Sequence, residues 1–310
     1  MKNNPGNNNL TNDQNALGVT QFDGGQNINV VDITGRSLAQ ALDPEGEIRL
    51  LDMPSGGMET FTPPILPEPE EQPESPVVLN LLESVKTALE NGAQEDTNGK
   101  FSLNALADEE NHFLNQILGE GEVSITREGQ LKTLVQESVL AGVWRVQVRD
   151  TNDKLLTDYL ETGPIPQFVR DLRNGESTGN AIVIEQESTG MGNVAPILVE
   201  IEQKSREPQQ PSDDPYVINL TLLPLSDLEL QLIGHHLGTG PVNILSRGYG
   251  NCRIGSTRLR DVWWIKYFNS EDKLILNTIE ICEVPPVALA APEDIADSAD
   301  RLEEILRIYR

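Results

Sequence analysis

The chain has 310 residues, 37% of them hydrophobic, and a formal net charge of −26. An acidic surface of that strength repels nucleic-acid phosphates and anionic lipid head groups, so no nucleic-acid partner is expected, and cationic partners remain. Two cysteines are too few for a disulfide framework, no run of about 18 apolar residues could cross a membrane, and the start Met1-Lys2-Asn3-Asn4-Pro5 has no apolar signal core. A cytoplasmic protein without membrane insertion is the expectation.

Residues 1–75 read as an extended, disordered acidic tail. Asn3 to Asn15 is rich in asparagine, and Pro63-Pro64-Ile65-Leu66-Pro67-Glu68-Pro69-Glu70-Glu71 favours polyproline II with self-repelling charge. Twelve Asp/Glu against three Lys/Arg precede Pro76, a net charge of −9. Such a segment buries too little apolar surface to offset its ordering entropy. An apolar island around Met53, Met58 and Phe61 is a candidate docking motif for the folded body or a partner.

The remainder contains an internal repeat. With a shift of 119 residues, 106–166 lies over 225–285 without a gap, and 17 of the 61 positions are identical. Average composition would give roughly 4. Leu118-Gly119-x-Gly121-x-Val123-x-Ile125 falls on Leu237-Gly238-x-Gly240-x-Val242-x-Ile244, and Val143-Trp144 falls on Val262-Trp263. The expected architecture is α+β: a tandem duplication of a helix-plus-antiparallel-sheet domain, with copies at 76–175 and 176–290. A C-terminal amphipathic helix would follow over 291–310.

Each copy opens with a helix. Leu106, Phe113, Leu114, Ile117 and Leu118 form one apolar stripe, as do Leu225, Leu228, Leu232, Ile233 and Leu237. Ser226 with Glu229 has capping-box spacing, and Gly119 and Gly238 are helix stops. Strands are expected at Val143–Arg149 and Lys154–Glu161, joined by a turn at Asp150-Thr151-Asn152-Asp153. Their counterparts are Val262–Phe268 and Lys273–Ile281, joined at Asn269-Ser270-Glu271-Asp272. Ile295, Leu302, Ile305, Leu306 and Tyr309 give the last helix its apolar face.

The copies differ in chemistry. Where the second has Arg247-Gly248-Tyr249-Gly250-Asn251-Cys252-Arg253-Ile254, the first has Glu128-Gly129-Gln130-Leu131-Lys132-Thr133-Leu134-Val135. Trp264 stands where the first copy has Arg145, Phe268 where it has Arg149, and Asn277 where it has Asp158. Tyr249, Asn251, Cys252, Arg253, Trp264, Phe268 and Asn277 are therefore the candidate partner-binding residues, since aromatic, arginine and amide groups make recognition patches. Trp263 shares its place with Trp144 and is expected in a core. Trp264 points the other way, either to a partner or into packing against the other copy.

The run Arg247–Ile254, followed by Val262-Trp263-Trp264-Ile265-Lys266-Tyr267-Phe268-Asn269-Ser270 and Leu274-Ile275-Leu276-Asn277-Thr278-Ile279-Glu280, resembles the C-terminal signature of the HupH/HyaF/HoxQ family of hydrogenase accessory proteins. Asp52-Met53-Pro54-Ser55-Gly56-Gly57-Met58-Glu59-Thr60-Phe61-Thr62-Pro63-Pro64 resembles that family's N-terminal motif. The resemblance implies a non-catalytic assembly chaperone in [NiFe]-hydrogenase maturation. Its expected client is the [NiFe]-hydrogenase small subunit precursor before export, and its expected co-worker a thioredoxin-like hydrogenase accessory protein. A scaffold linking other maturation factors is the alternative.

A thiol redox factor using Cys252 is a further alternative, because a guanidinium such as Arg253 beside a thiol lowers its pKa. A small buried strand residue is the plain reading of the same cysteine. No cofactor and no metal site is expected: two cysteines and the histidines His112, His235 and His236 offer no zinc spacing, and one thiolate cannot hold an iron–sulfur cluster. Nucleophile-elbow, zinc-protease, kinase and dinucleotide fingerprints are absent, and no enzyme is expected.

Overall fold

The computed structural model describes residues 75–95, 98–174, 192–208, 214–247 and 251–310. The expected tail with Met53, Met58 and Phe61, and Tyr249 in the second half, lie outside these residues. In chain order the helices are α1 (Pro76–Glu95), α2 (Asp108–Leu118), α3 (Gln167–Arg170), α4 (Val194–Arg206), α5 (Asp227–Leu237) and α6 (Pro292–Tyr309). The strands are β1 (Lys100–Ser102), β2 (Val123–Arg127), β3 (Lys132–Glu137), β4 (Val143–Arg149), β5 (Leu155–Thr162), β6 (Tyr216–Asn219), β7 (Val242–Ser246), β8 (Asn251–Ser256), β9 (Val262–Phe268) and β10 (Leu274–Ile281). The chain is thus α+β with a C-terminal helix.

Among the described residues all ten strands join one antiparallel sheet, in the order β1-β5-β4-β3-β2-β7-β8-β9-β10-β6. Helix α2 and strands β2 to β5 begin and end 119 residues before α5 and β7 to β10. The β2–β7 seam has a reciprocal register: Val123 faces Ser246, Ile125 faces Ile244 and Arg127 faces Val242. The two meanders therefore meet through matching strands.

The repeated Leu-Gly-x-Gly motif has a steric cause. Gly119 (φ 54°) and Gly238 (φ 62°) end α2 and α5 in the left-handed region, where a side chain is strained. Gly121 and Gly240 then pass against the ends of β3 and β8. A Cβ on Gly121 would lie 2.2 Å from the Ser138 carbonyl oxygen, and one on Gly240 2.5 Å from that of Thr257. Both hairpin turns also use one device. The Asp150 carboxylate accepts from the Asn152 and Lys154 N–H groups, and the Asn269 amide oxygen accepts from Glu271 and Lys273. Asp153 and Asp272 take positive φ.

Period-two alternation gives the sheet two faces. On one, α1, α2 and α6 bury Val78, Leu82, Phe113, Leu114, Leu302 and Leu306 against Val143 and Leu160. On the same face, α4 and α5 bury Leu198, Ile201 and Ile233 against Val262, Trp264 and Ile279. The backbones of α1 and α4 approach the sheet at β5 and β10 respectively. The opposite face carries Ile125, Val146, Ile244, Ile254 and Ile265, covered by Ile165, Val169 and Val284 from the segments after β5 and β10.

Trp263 is buried on that second face, as Trp144 is in its half; their indole N–H groups donate to the Glu283 and Gly163 carbonyls. Leu228 departs from the expected stripe. It is 62% exposed, because the packed side of α5 runs through Ile233 and Leu237. Helices α1 and α4, which the sequence reading did not place, carry buried stripes at Val78, Leu82, Val85 and Leu89, and at Val194, Ile197, Leu198 and Ile201.

Glu137, at the end of β3, is 7% exposed, and its carboxylate accepts a long bond from the Gly142 N–H, 3.5 Å. Burial pushes its carboxyl up from 4.5 to about 7, aided by Glu122 and Asp294. A raised carboxyl favours the fold while protonated, and that stability is lost as pH rises from 4.5 through about 7. Glu137→Gln is expected to remove up to about 3 kcal/mol of this decline. Urea unfolding of both proteins at pH 5 and pH 8 checks it; equal pH dependence would refute it.

Candidate partner-binding face

Strand alternation divides the candidate residues. Asn251, Arg253, Trp264, Phe268 and Asn277 share the helix-bearing face, because Arg253 pairs with Lys266, Asn251 with Phe268 and Asn277 with Lys266. Cys252 pairs with Tyr267 on the opposite face. The Arg253 guanidinium and the Cys252 thiol are thus on different sides of β8. Cys252 is 3% exposed, and burial, with the nearby Glu280 charge, pushes its thiol up to about 12. Burial also raises Cys282 and Glu280. A thiol so held is neutral at physiological pH, the reverse of an activated nucleophile.

The face itself is built from cross-strand pairs. The Trp264 indole N–H donates to the Asn277 amide oxygen at 2.5 Å, and the Asn277 N–H donates to the Thr221 hydroxyl at 2.8 Å. Trp264 is 7% exposed and lies among α4 and α5 side chains, so it is packed within its own half. At the matched place in the first half, Arg145 Nε and Nη2 donate to Asp158 at 3.1 and 2.6 Å. Arg145 also donates to Asn111 and Asn115 of α2. One half therefore holds its helix to the sheet through an arginine that is ion-paired within the sheet, the other through an indole. Gly234, which replaces Asn115, lines a small cavity with Trp264.

Arg253 is half-buried. Its guanidinium lies over the Phe268 ring, 4.6 Å from the centroid, and its Nε has no hydrogen-bond partner. Asn251 donates to Asp272 at 3.0 Å in the hairpin turn. Along one row of the sheet the side chains run Arg145, Gln136, Ser124, Leu245, Arg253, Lys266 and Asn277. Leu245, and Leu134 on the next row, belong to none of the three hydrophobic clusters. The row joins residues of both halves. Its middle members, Gln136, Ser124 and Lys266, are not apparent as a group from sequence, because alternation fixes the face of a side chain and not the neighbouring strand.

Among the described residues no group of three or more His, Cys, Asp or Glu side chains could hold a metal ion, and no helix is long and apolar enough to cross a membrane.

A family model described as "HupH hydrogenase expression protein, C-terminal conserved region" matches residues 75–178 and again residues 191–309. The chain is 41% identical to the hydrogenase expression/formation protein HoxQ of Cupriavidus necator, over 83% of this chain and 90% of that protein. It is 36% identical to the hydrogenase-1 operon protein HyaF of Escherichia coli, over 66% of this chain and 70% of that protein. A solved structure of the hydrogenase expression protein HupH from Thiobacillus denitrificans aligns with 37% of this chain and 94% of that one, at 28% identity and a TM-score of 0.34. The chain belongs to the HupH hydrogenase expression protein family.

Proposed function

We propose that the chain is an accessory protein of [NiFe]-hydrogenase maturation, an assembly chaperone that binds the iron–sulfur small-subunit precursor before export. The observation that carries this reading is the family match over both halves, with relatives named for hydrogenase expression and formation. In this reading the protein works in the cytoplasm, beside a thioredoxin-like accessory protein, through binding and not covalent catalysis. The neutral, buried Cys252 thiol favours it over a redox carrier.

The two halves are read as copies of one unit at 76–175 and 176–290, with a tail over 1–75 and a closing helix over 291–310. The 119-residue offset of matched elements and the two matches to one family model support that reading. The client would meet the second half around Tyr249, Asn251, Arg253 and Phe268, with Trp264 and Asn277 as the support beneath. Met53, Met58 and Phe61 in the tail are a second contact in this reading.

A pull-down from hydrogenase-producing cells tests it, with wild type beside a Tyr249→Ala/Arg253→Glu variant whose circular dichroism is unchanged. The small-subunit precursor is expected with wild type and at least about fivefold less with the variant, the loss of roughly 1 kcal/mol of contact. Equal recovery would remove these residues from the site. Recovery of other maturation factors without any hydrogenase subunit would leave a scaffold.

A further inference from the structure

The most exposed large apolar side chain among the described residues is Leu222, at 79%. It belongs to a short stretch that the two halves do not share. The Asp158 N–H donates to the Asn104 side chain as the Asn277 N–H donates to that of Thr221, and Leu106 and Leu225 lead into the matched helices α2 and α5. Between these anchors the first half has only Ala105, whereas the second has Leu222-Leu223-Pro224. In the first turn of α5, Leu228 takes the place of Glu109. The 3-10 turn Leu220–Leu222 runs along β10 beyond the Asn219–Thr278 pair, toward Ile275, which is 57% exposed. Leu222, Leu223, Leu228 and Ile275 thus leave one end of the second half apolar and uncovered among the described residues. Exposed apolar groups gathered in this way mark interaction sites.

Their surroundings carry one sign of charge. From Glu207 to Ser246 the chain has five Asp and Glu and no Lys or Arg. Asp227 and Glu229 flank Leu228. Glu229 is bonded to its Ser226 cap, while Asp227, and Glu271 in the turn before β10, are exposed and have no ion pair among the described residues. Asn193, the N-cap of α4, donates to the Pro224 carbonyl at 3.3 Å. Lys204 and Arg206 stand at the other end of α4, about 16 Å or more along the axis, in ion pairs with Glu207 and Glu202. Lys273 directly follows Glu271 and Asp272. A second copy of this chain would bring the same carboxylates and a net charge of −26, and an anionic membrane is repelled in the same way. A cationic segment is attracted, and its apolar side can bury the leucines.

We propose that this end of the second half is a docking surface for a cationic amphipathic segment of a partner protein. Its apolar side chains cover Leu222, Leu223, Leu228 and Ile275, and its Lys or Arg residues face Asp227 and Glu271. The surface adjoins Asn251 and Phe268, since Phe268 pairs with both Asn251 and Leu274. It defines the chemistry of a partner and stands apart from the proposed hydrogenase role.

The test uses the full-length protein and a fluorescently labelled amphipathic helical peptide of leucine and lysine, followed by anisotropy. Leu222→Gln/Leu228→Gln, with net charge and circular dichroism unchanged, is expected to weaken binding at least about tenfold, or roughly 1.4 kcal/mol. Asp227→Asn/Glu271→Gln should weaken it about threefold. Leu131→Gln, which removes an exposed leucine from the first half, should leave it unchanged. A peptide with glutamate in place of lysine should bind at least about tenfold more weakly. Equal binding by wild type and the double leucine variant, or an equal loss with Leu131→Gln, would overturn the proposal, because attraction between unlike charges would then suffice. Leucine-dependent binding to phosphatidylcholine–phosphatidylglycerol vesicles, or leucine-dependent dimerisation in the ultracentrifuge, would overturn it in favour of a membrane or a second copy.

Discussion

Trp264→Ala is expected to destabilise the protein by about 4 kcal/mol, while Arg253→Ala, eleven residues away on the same face, should change stability by less than about 1 kcal/mol. The difference follows from burial. Trp264 is 7% exposed, lies under α4 and α5, and donates to Asn277 at 2.5 Å. Its removal leaves a cavity beside Gly234, which has no side chain to fill it, and an amide oxygen without its donor. Arg253 is half-buried, and its ring contact with Phe268 is worth about 0.5–1 kcal/mol. Trp264→Phe keeps most of the apolar area and should recover more than half of the loss. Urea midpoints of the three variants check the set. Equal destabilisation by Trp264→Ala and Arg253→Ala would mean that the face is one structural unit, with no residue free to serve a partner.

The other large effect is expected at the seam. Ile244→Pro should cost about 3 kcal/mol or more, because proline removes a ladder N–H from a strand hydrogen-bonded on both sides. β7 pairs with both β2 and β8, and β2–β7 is the pairing that joins the two meanders. The loss should therefore be regional. Amide exchange is expected to accelerate most in β2, β7 and β8, and least in β1 and β5, which lie at the far end of the sheet. Ile125→Pro should act in the same way, since Ile125 faces Ile244 at the centre of the reciprocal register. Exchange that rises evenly over the whole chain would show instead that the sheet opens only as one unit.

Much of each half could be read from sequence. The Asp-Lys-Leu turns, the two Trp-bearing strands and the apolar stripe of α6 are local patterns, and the strand Val262–Phe268 stands at its expected bounds. Two kinds of information were not local. Alternation put Asn251 and Arg253 on one side of β8 and Cys252 on the other, yet adjacency in the chain suggested that the guanidinium acts on the thiol; the pleat separates them. Strand partners were the second. Nothing in Val123–Arg127 or Val242–Ser246 announces that these strands meet, so the row linking Gln136 and Ser124 to Arg253 and Lys266 emerges only from the sheet order. Helix α1 has a clear stripe, but the acidic, proline-rich run before it gives no start signal beyond Ser75.

Helix α6 follows the second meander in the chain but packs on the first. Ile295, Ala299, Leu302, Ile305 and Leu306 complete the cluster of α1 and α2, Tyr309 meets the Phe113 ring edge-on at 5.2 Å, and Lys86 of α1 donates to Glu303 at 2.8 Å. During synthesis the early half therefore emerges with one side of its core uncovered, and it stays so until α6 leaves the ribosome. At about 5–20 residues per second, the 173 residues between α2 and Pro292 and the 18 of α6 leave that apolar side open for roughly 10–40 s. A stop codon placed just before α6 would strike the beginning of the fold. Its lesion would be the exposed flank of α1 and α2, more than 170 residues upstream of the cut.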